Sequence, residues 1–242
     1  IELRLFARHF LFVIDTKSSG FIRLNFALPI YTMSGRMLFD ARRPMAIDNK
    51  NLEHLREELD DISSVLTQLV PGLSIGFKEI SQTLDKEGEA ATVTMLTAYR
   101  DGKELPLRDE SDGVRKIISV LSLIIAAFNE QSVTVAIDEF DAGIFEYLLG
   151  EILQSMEESG KGQFIFTSHN LRPLEVINKK FLYFTTTNPQ NRYIRLKNIS
   201  ATNNLRDTYF REIILCEQEE KIYNKTKKFK MIAALKKAGG LR

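Results

Sequence analysis

The 242-residue sequence lacks three features that would narrow its class: a second cysteine, an excess of charge of one sign, and a long apolar run. Its single cysteine, Cys216, excludes an internal disulfide framework and fits a reducing cytosol. A formal charge of +1 excludes an overall bias toward nucleic acid or membrane, so such affinity would need local patches. The longest apolar stretch, 117–128, contains two serines and is too short to span a bilayer. We therefore predict a cytoplasmic globular protein with no membrane partner.

The start of the sequence gives an expectation about its natural length. The chain begins with Ile, enters an apolar pattern at once and shows no signal-peptide pattern. We expect the natural N-terminus to lie upstream. With 44% hydrophobic and 27% charged residues, the chain can bury a sizeable core in one large domain or one domain plus a lobe.

The hydrophobic period changes along the first half of the chain. Residues 1–45 contain apolar segments that predict two or three strands. From residue 51, leucines and isoleucine recur every three or four positions, which predicts an amphipathic helix that ends before the "PG" at 71–72. The period-two segments "LSIGFKEI" and "ATVTMLTAYR", joined by "DKEGE", predict an antiparallel hairpin.

From residue 110 onward, helical and strand patterns alternate, which predicts a parallel sheet covered on both faces. The predicted order is helix 111–129, strand 132–137, helix 143–158, strand 163–167, helix 171–178 and strand 181–185. We expect "YIRLKNI" to form a final antiparallel strand and residues 203–237 to be helical. The predicted division is an N-terminal portion (1–108), a central lobe (109–200) and a basic helical extension (201–242).

Two acids end an apolar run in the middle of the chain. The run "VTVAI" reads as a strand buried on both faces, and Asp138 and Glu139 follow it at the edge where parallel sheets bind ligands. A hydrated Mg²⁺ would offset this charge, because it prefers one or two carboxylates together with phosphate oxygens. We predict that Asp138 holds the metal and that Glu139 faces an attacking water. The alternative is that the acids simply begin a polar loop.

A histidine follows the next apolar run in the same way. In "QFIFTSHN", His169 comes after a run of strand length, as Glu139 comes after the first. Two neighbouring strands with these endings would place a metal ligand, a base and a donor along one edge. The alternative for His169 is a cap or a packed ring. His9 and His54 show no partner pattern and are predicted to be structural.

A third segment, "LRDESDGVRKIISVLSLIIAAF", predicts a helix whose start presents donors to an anion. Ser111 is a good N-cap, and a helix N-terminus offers free backbone N–H groups and the positive end of the dipole. Gly113 permits close backbone approach. The alternative is an ordinary capped helix start.

In their order and spacing, these segments resemble the C-terminal half of ABC-type ATPase heads, most closely the SMC/RecF/OLD-like group of AAA-family ATP-binding proteins. The resemblance covers residues 105–197 and rests on "ESDGVRK", "VTVAIDEFD" and "FIFTSH". The motif positions it implies are Ser111 and Gly113 in the signature, Asp138 and Glu139 in Walker B, Asp141 in the D-loop, and His169 as the switch histidine.

The resemblance also implies a fold and an activity. The fold is α/β, with a P-loop NTPase-like parallel sheet and flanking helices, preceded by a helix and an antiparallel hairpin and followed by a helical extension. The activity is ATP hydrolysis with Mg²⁺ as cofactor, by phosphoryl transfer to water. Catalysis would occur in a head-to-tail dimer, where each signature completes the site of a second copy or a paralogous head. Related heads act in DNA maintenance and phage defence, so DNA is an implied partner.

Two departures from that pattern stand out. Asp112 occupies the place of the first signature glycine, and its charge near a γ-phosphate is unfavourable for nucleotide affinity and dimerisation unless Arg115 and Lys116 offset it. No GxxxxGK[ST] occurs in the sequence, and a Q-loop glutamine cannot be placed. We expect the Walker A loop to lie upstream, and we expect these residues alone to bind ATP poorly.

A second hypothesis is a non-hydrolysing scaffold or interaction module that retains the head fold. An upstream GxxxxGK[ST] would favour the enzyme, whereas a gene that begins here would favour the scaffold. The segment 221–242 carries eight Lys or Arg and no acid, and it would either grip DNA phosphates or form a solvated helix face. Four apolar residues favour the helix because they indicate packing: Phe229, Met231, Ile232 and Leu235.

Overall fold

The structure is a computed structural model that describes residues 2–14, 27–32, 35–40, 42–196, 205–215, 219–224 and 226–239. The chain divides into two compact units, Ile1–Asn170 and Leu171–Arg242. The residues that the sequence singles out for chemistry all belong to the first unit. The three domains predicted from the sequence, with boundaries after residues 108 and 200, stay a prediction.

Before residue 107, the described residues of the first unit form two helices and seven strands. In chain order these are α1 (Glu2–His9), β1 (Leu11–Ile14), β2 (Ala27–Thr32), β3 (Gly35–Asp40), β4 (Met45–Asp48), α2 (Asn49–Leu69), β5 (Leu73–Leu84), β6 (Ala90–Arg100) and β7 (Lys103–Pro106). A short 3-10 turn then leads into α3 (Asp112–Asn129), β8 (Thr134–Ile137), α4 (Glu146–Ser159) and β9 (Gln163–Phe166).

A three-stranded parallel sheet positions the site. Its order is β1-β8-β9, with β8 in the centre and both neighbours parallel to it. This arrangement, in which α3 leads into β8 and α4 connects β8 to β9, confirms the predicted α/β class with a parallel sheet. Because all three strands run the same way, the loops that follow them meet at one edge of the sheet.

An antiparallel sheet and a helix precede this layer. Strand β6 pairs with β5 on one side and with β4 and β7 on the other, which confirms the predicted hairpin. Helix α2 packs against β5 and buries the residues that share its apolar face: Leu55, Leu59, Ile62 and Leu66. Strands β2 and β3 form a separate antiparallel pair.

Aromatic packing fixes the loop after β8 to strand β9. Phe140 is fully buried, and its ring meets the rings of Phe164 and Phe166 edge-on, with centroids 5.2 and 5.8 Å apart. Its backbone N–H donates to the carbonyl of Thr167 at 3.0 Å. The polar residues on either side of Phe140 are thereby held at the sheet edge.

The second unit departs from the sequence predictions in three ways. Residues 171–178 were expected to be helical, but only α5 (Pro173–Val176) is. The segment 181–185 was expected to continue the parallel sheet, but β10 (Phe184–Thr185) pairs antiparallel with β11 (Tyr193–Ile194), because the "TNPQNR" turn folds the chain back on itself. The predicted helix 203–237 is interrupted: α6 (Leu205–Leu215) and α7 (Lys228–Ala238) flank residues 219–224, which are not helical.

The two or three strands predicted for residues 1–45 are present as β1, β2 and β3, but an unpredicted helix precedes them. Residues 2–9 form α1, because charged and apolar residues of "ELRLFARH" separate onto two sides at helical spacing. One expectation fails at the other end of the chain. Helix α7 buries no side chain against the described residues, so the packing expected of Phe229 and its apolar neighbours is not found there. Within the described part of the chain, no helix is both long and apolar enough to cross a bilayer.

Candidate active site

The predicted acids and histidine meet at one edge of the parallel sheet. Asp138 and Glu139 directly follow β8, and His169 follows the adjacent β9 by three residues. The Oε1 atom of Glu139 lies 3.5 Å from Nε2 of His169. The Glu139 side chain is 40% exposed and that of His169 is 84% exposed, so both can be reached from solvent. The placement matches the prediction, whereas the roles of these residues stay predictions.

Thr167 ties the two acids together. Its hydroxyl donates a hydrogen bond to Oδ1 of Asp138 and accepts one from the backbone N–H of Glu139 at 2.8 Å. A threonine side chain offers one donor and two acceptor positions, so both bonds can form at once. Thr167 therefore orients the Asp138 carboxylate and fixes the start of the Glu139 loop.

Asp141 performs a similar task for the loop that carries the histidine. Its carboxylate accepts the backbone N–H of His169 at 3.2 Å and that of Asn170 at 3.0 Å. Charge-assisted bonds of this kind are stronger than neutral ones. The loops after β8 and β9 are therefore bonded to each other in both directions. The nucleotide-binding role that the resemblance gives Asp141 stays a prediction.

Glu139 adopts an uncommon backbone conformation. Its φ angle is 49°, in the left-handed region that non-glycine residues seldom occupy. Its carbonyl accepts a hydrogen bond from Nζ of Lys116 at 2.6 Å, and the same amine donates to the carbonyl of Ala142 at 2.9 Å. Contacts on both sides of Glu139 thus hold the strained conformation.

The start of helix α3 lies against the same loop. Ser111 caps the helix by accepting the N–H of Val114 at 3.3 Å, as its sequence position predicted. Gly113 lies so close to the loop that a Cβ on it would be 2.2 Å from the carbonyl oxygen of Gly143. Because no side chain fits in that gap, the residue must be glycine if the two segments are to touch.

Of the two cations that could offset Asp112, Arg115 pairs with it and Lys116 does not. Arg115 forms an ion pair with Asp112 and donates to the carbonyl of Arg108. Lys116 points into the protein instead, so that half of the condition is not met. It lies one helical turn before Val120 on the buried face of α3, so its amine reaches the backbone carbonyls of the loop that packs against this face.

Burial lowers the pKa of Lys116 from 10.5 to about 8, since its side chain leaves water. The carboxylates of Asp141 and Glu139 oppose this effect and favour the charged amine. Burying the amine is tolerable because both of the carbonyls it reaches accept its hydrogen bonds.

The donor set fits magnesium bound jointly by protein and phosphate. Within the described ranges, no three His, Cys, Asp or Glu side chains cluster as a metal cage. Mg²⁺ does not require one, because it commonly takes one or two carboxylates and completes its shell with phosphate oxygens and water. Asp138 is the predicted source of such a carboxylate, and the hydroxyl of Thr167 donates a hydrogen bond to it.

Sequence reasoning missed the functions of two residues that build this site. The apolar pattern predicts only that Thr167 ends a strand; its position two residues before His169 is the signal that could have marked it as part of the site. Lys116 had a clearer signal: it is the one cation inside the apolar stripe of a long helix, a place where a charged group needs a partner. Its partners are two backbone carbonyls, which a pattern of side chains cannot identify.

A comparison with protein families agrees with the resemblance that the sequence suggests. A family profile described as "AAA domain, putative AbiEii toxin, Type IV TA system" matches residues 18–175, which is more than half of the chain and includes every candidate site residue. No curated protein gave a significant match.

Two solved structures of Smc heads are similar over part of the chain. One is an Smc head bound to the C-winged helix domain of ScpA, with 17% identity and a TM-score of 0.40. The other is an Smc head with a coiled coil and joint derived from Pyrococcus yayanosii, with 18% identity and a TM-score of 0.36. Each match covers 51% of this chain, but only 37% and 24% of the respective Smc chain, so this chain spans well under half of their length.

Proposed function

Because the chain belongs to the AAA-domain family whose profile matches residues 18–175, as its motif order predicted, we propose that it is part of an ATP-hydrolysing head. The observation that carries the proposal is the pair of Glu139 and His169, 3.5 Å apart, beside Asp138 at the carboxyl edge of adjacent parallel strands. Ligands of open parallel sheets bind at this edge. The reaction is phosphoryl transfer from ATP to water.

Glu139 is the general base of the proposed reaction. Its partly exposed carboxylate takes a proton from the attacking water. The left-handed backbone conformation of Glu139 sets the direction in which this side chain points. His169, beside it, donates to the phosphoryl group that is being transferred. Asp138 would hold Mg²⁺, which when bound neutralises charge on the phosphate oxygens. Positioning and charge neutralisation supply most of the rate in this class of reaction.

Ser111 and Gly113 act on a second head in this proposal. The capped start of α3 presents backbone donors to the phosphates bound by the opposite subunit, which is another copy or a paralogue. Asp141 accepts the backbone N–H of His169, and Gly143 in the same loop lies against Gly113, so this loop links the two surfaces of the site. The dimer is head to tail, and each head completes the site of the other.

The process served by the head is DNA maintenance or phage defence. The family's printed description names a toxin of a type IV toxin–antitoxin system, and such a connection supports a role in defence. DNA is the proposed macromolecular partner. The basic helix α7, whose side chains are all exposed, offers lysines for phosphate contacts.

The decisive experiment substitutes Glu139→Gln in the full-length protein. Steady-state ATP hydrolysis should fall by roughly 10²- to 10⁴-fold, the usual contribution of a positioned base, while ATP binding survives. Native mass measurement should show the ATP-bound dimer accumulating. Asp138→Asn should instead weaken Mg²⁺-dependent binding, because it removes a ligand charge.

Glu57→Gln is the matched control, since Glu57 also pairs with a histidine but lies on α2. It should leave both rate and dimer mass unchanged. If Glu139→Gln turns over like the parent, Glu139 is a loop residue and the mechanism is wrong. A parent that binds ATP without hydrolysing it would favour the scaffold.

A further inference from the structure

A buried lysine of helix α3 contacts the backbone of the loop that carries Glu139. The Lys116 side chain is fully within the protein, with the residue 1% exposed, and lies in the second turn of α3. Its amine donates to the carbonyls of Glu139 and Ala142 at 2.6 and 2.9 Å. An isolated buried ammonium is costly, so these contacts are not incidental.

The two carbonyls bracket the turn in which the base sits. The N–H of Ala142 donates to the carbonyl of Glu139 at 3.1 Å, which closes the turn. The Lys116 amine bonds the first and the last carbonyl of this turn. The φ angle of 49° at Glu139 is unfavourable for a side chain with a Cβ. The cation therefore supports the conformation that aims the Glu139 carboxylate.

The same helix turn touches the loop at a second point. Gly113 lies against the backbone of Gly143, one residue beyond the second carbonyl that Lys116 reaches. The first two turns of α3 therefore contact residues 139–143 through the close approach of Gly113 and two hydrogen bonds from Lys116. A displacement of the helix start would be transmitted to the loop, because none of these contacts involves an exposed side chain.

We propose that Lys116 is a positioning residue, which couples the start of helix α3 to the conformation of Glu139. The inference rests on the proposed function, because it assigns a route by which anion binding at Ser111 and Gly113 aligns the base. Lys116 does not touch substrate in this scheme. It acts through the backbone of Glu139, and its removal changes catalysis more than binding.

The test uses the full-length protein with Lys116→Met, which keeps the length and apolar stem of the side chain but removes its donors. Lys116→Arg restores a cationic donor, and Lys86→Met, in the exposed hairpin turn, is the matched control. Lys116→Gln, which keeps an N–H donor, replaces the arginine variant if the latter fails to melt cooperatively. Each protein is measured by hydrogen–deuterium exchange of peptides that cover 138–144, and by steady-state hydrolysis of MgATP.

For Lys116→Met, we expect exchange in 138–144 to rise by about tenfold or more, with the hairpin 73–100 unchanged, since only the local contact is lost. The kcat should fall by about 10- to 100-fold with KM nearly constant, as for a misaligned catalytic group. The rescuing variant should recover part of both changes, and Lys86→Met should match the parent.

Unchanged exchange in 138–144 would show that Lys116 does not hold the loop. Faster exchange with parental kcat, or an equal loss in Lys86→Met, would show that the loop contact does not position the base. Glu139→Gln, assayed alongside, separates this failure from that of the proposed function. If the parent and Glu139→Gln are equally inactive, hydrolysis itself is wrongly assigned, and the exchange data still decide whether Lys116 secures the loop.

Discussion

Two histidine–glutamate pairs of nearly equal length lie in very different surroundings. On helix α2, Nδ1 of His54 is 3.4 Å from Oε2 of Glu57, three positions along the same helix. At the edge of the parallel sheet, Nε2 of His169 is 3.5 Å from Oε1 of Glu139, in a different loop. The distance is therefore a poor criterion for a site. Sequence neighbours on a helix meet through its periodicity, whereas the sheet-edge pair requires two strands to align.

What distinguishes the sheet-edge pair is the support around it. Thr167 and Lys116 bond the backbone of Glu139 from two sides, and Asp141 bonds the backbone of His169. The pair on α2 has side chains on an exposed helix face and rests on ordinary helical geometry. Preorganised groups of the first kind are what a catalytic constellation needs.

The largest effect that would sharpen this contrast is a pH dependence due to Lys116. Its pKa is lowered to about 8 in the folded protein, so between about pH 8 and 10.5 the unfolded chain binds more protons than the folded one. Stability must then rise with pH in that window, and the burial penalty is fully present below it. The unfolding free energy of the parent relative to Lys116→Met should increase by up to about 3 kcal/mol.

Urea unfolding of both proteins across this pH range measures the difference, and groups common to the two proteins cancel. A difference that is flat or falls as the pH rises would contradict the lowered pKa of Lys116, and with it the contrast in desolvation between the surroundings of the two histidine–glutamate pairs.

A smaller effect is expected from Gly113→Ala. The new Cβ would lie 2.2 Å from the carbonyl oxygen of Gly143, so the helix start and the loop must move apart. We expect a loss of about 2 kcal/mol in the free energy of unfolding, typical of overpacking. Gly239→Ala, where the nearest atom is 3.5 Å away, should change it by less than about 0.5 kcal/mol. Equal stability of the two variants would contradict the contact between α3 and the loop.

The smallest effect concerns the histidines themselves. His169→Ala should lower turnover by about 10- to 30-fold, or roughly 1.4 to 2 kcal/mol in activation free energy, with the melting temperature unchanged because the side chain is exposed. His54→Ala should leave turnover unchanged. Steady-state hydrolysis by the two full-length variants compares the pairs directly, and equal activity of both would remove the distinction between them.

Much of the site could be predicted because its residues follow strands. Apolar runs locate β8 and β9, and the polar residues after them are then placed at the same edge by the rule for parallel sheets. The short N-terminal and C-terminal elements were predicted less well. The apolar residues of "ELRLFARH" run directly into those of β1, so the sequence does not separate α1 from the strands that follow. In 203–237 the helical pattern continues across a segment that is not helical.

The sequence by itself determined the order of the motifs, the α/β class and the identity of the acids, the capping serine and the glycines. These features depend on local periodicity and on residue types, which can be read from the sequence without knowledge of the tertiary structure. Only the tertiary structure decided that Lys116 turns inward to two backbone carbonyls rather than outward to Asp112, and that Thr167 joins Asp138 to Glu139. Contacts between a side chain and a distant backbone are made by the packing of α3 and β9 against one loop. Since every residue has the same carbonyl and N–H groups, the sequence cannot indicate which of them will be the partner.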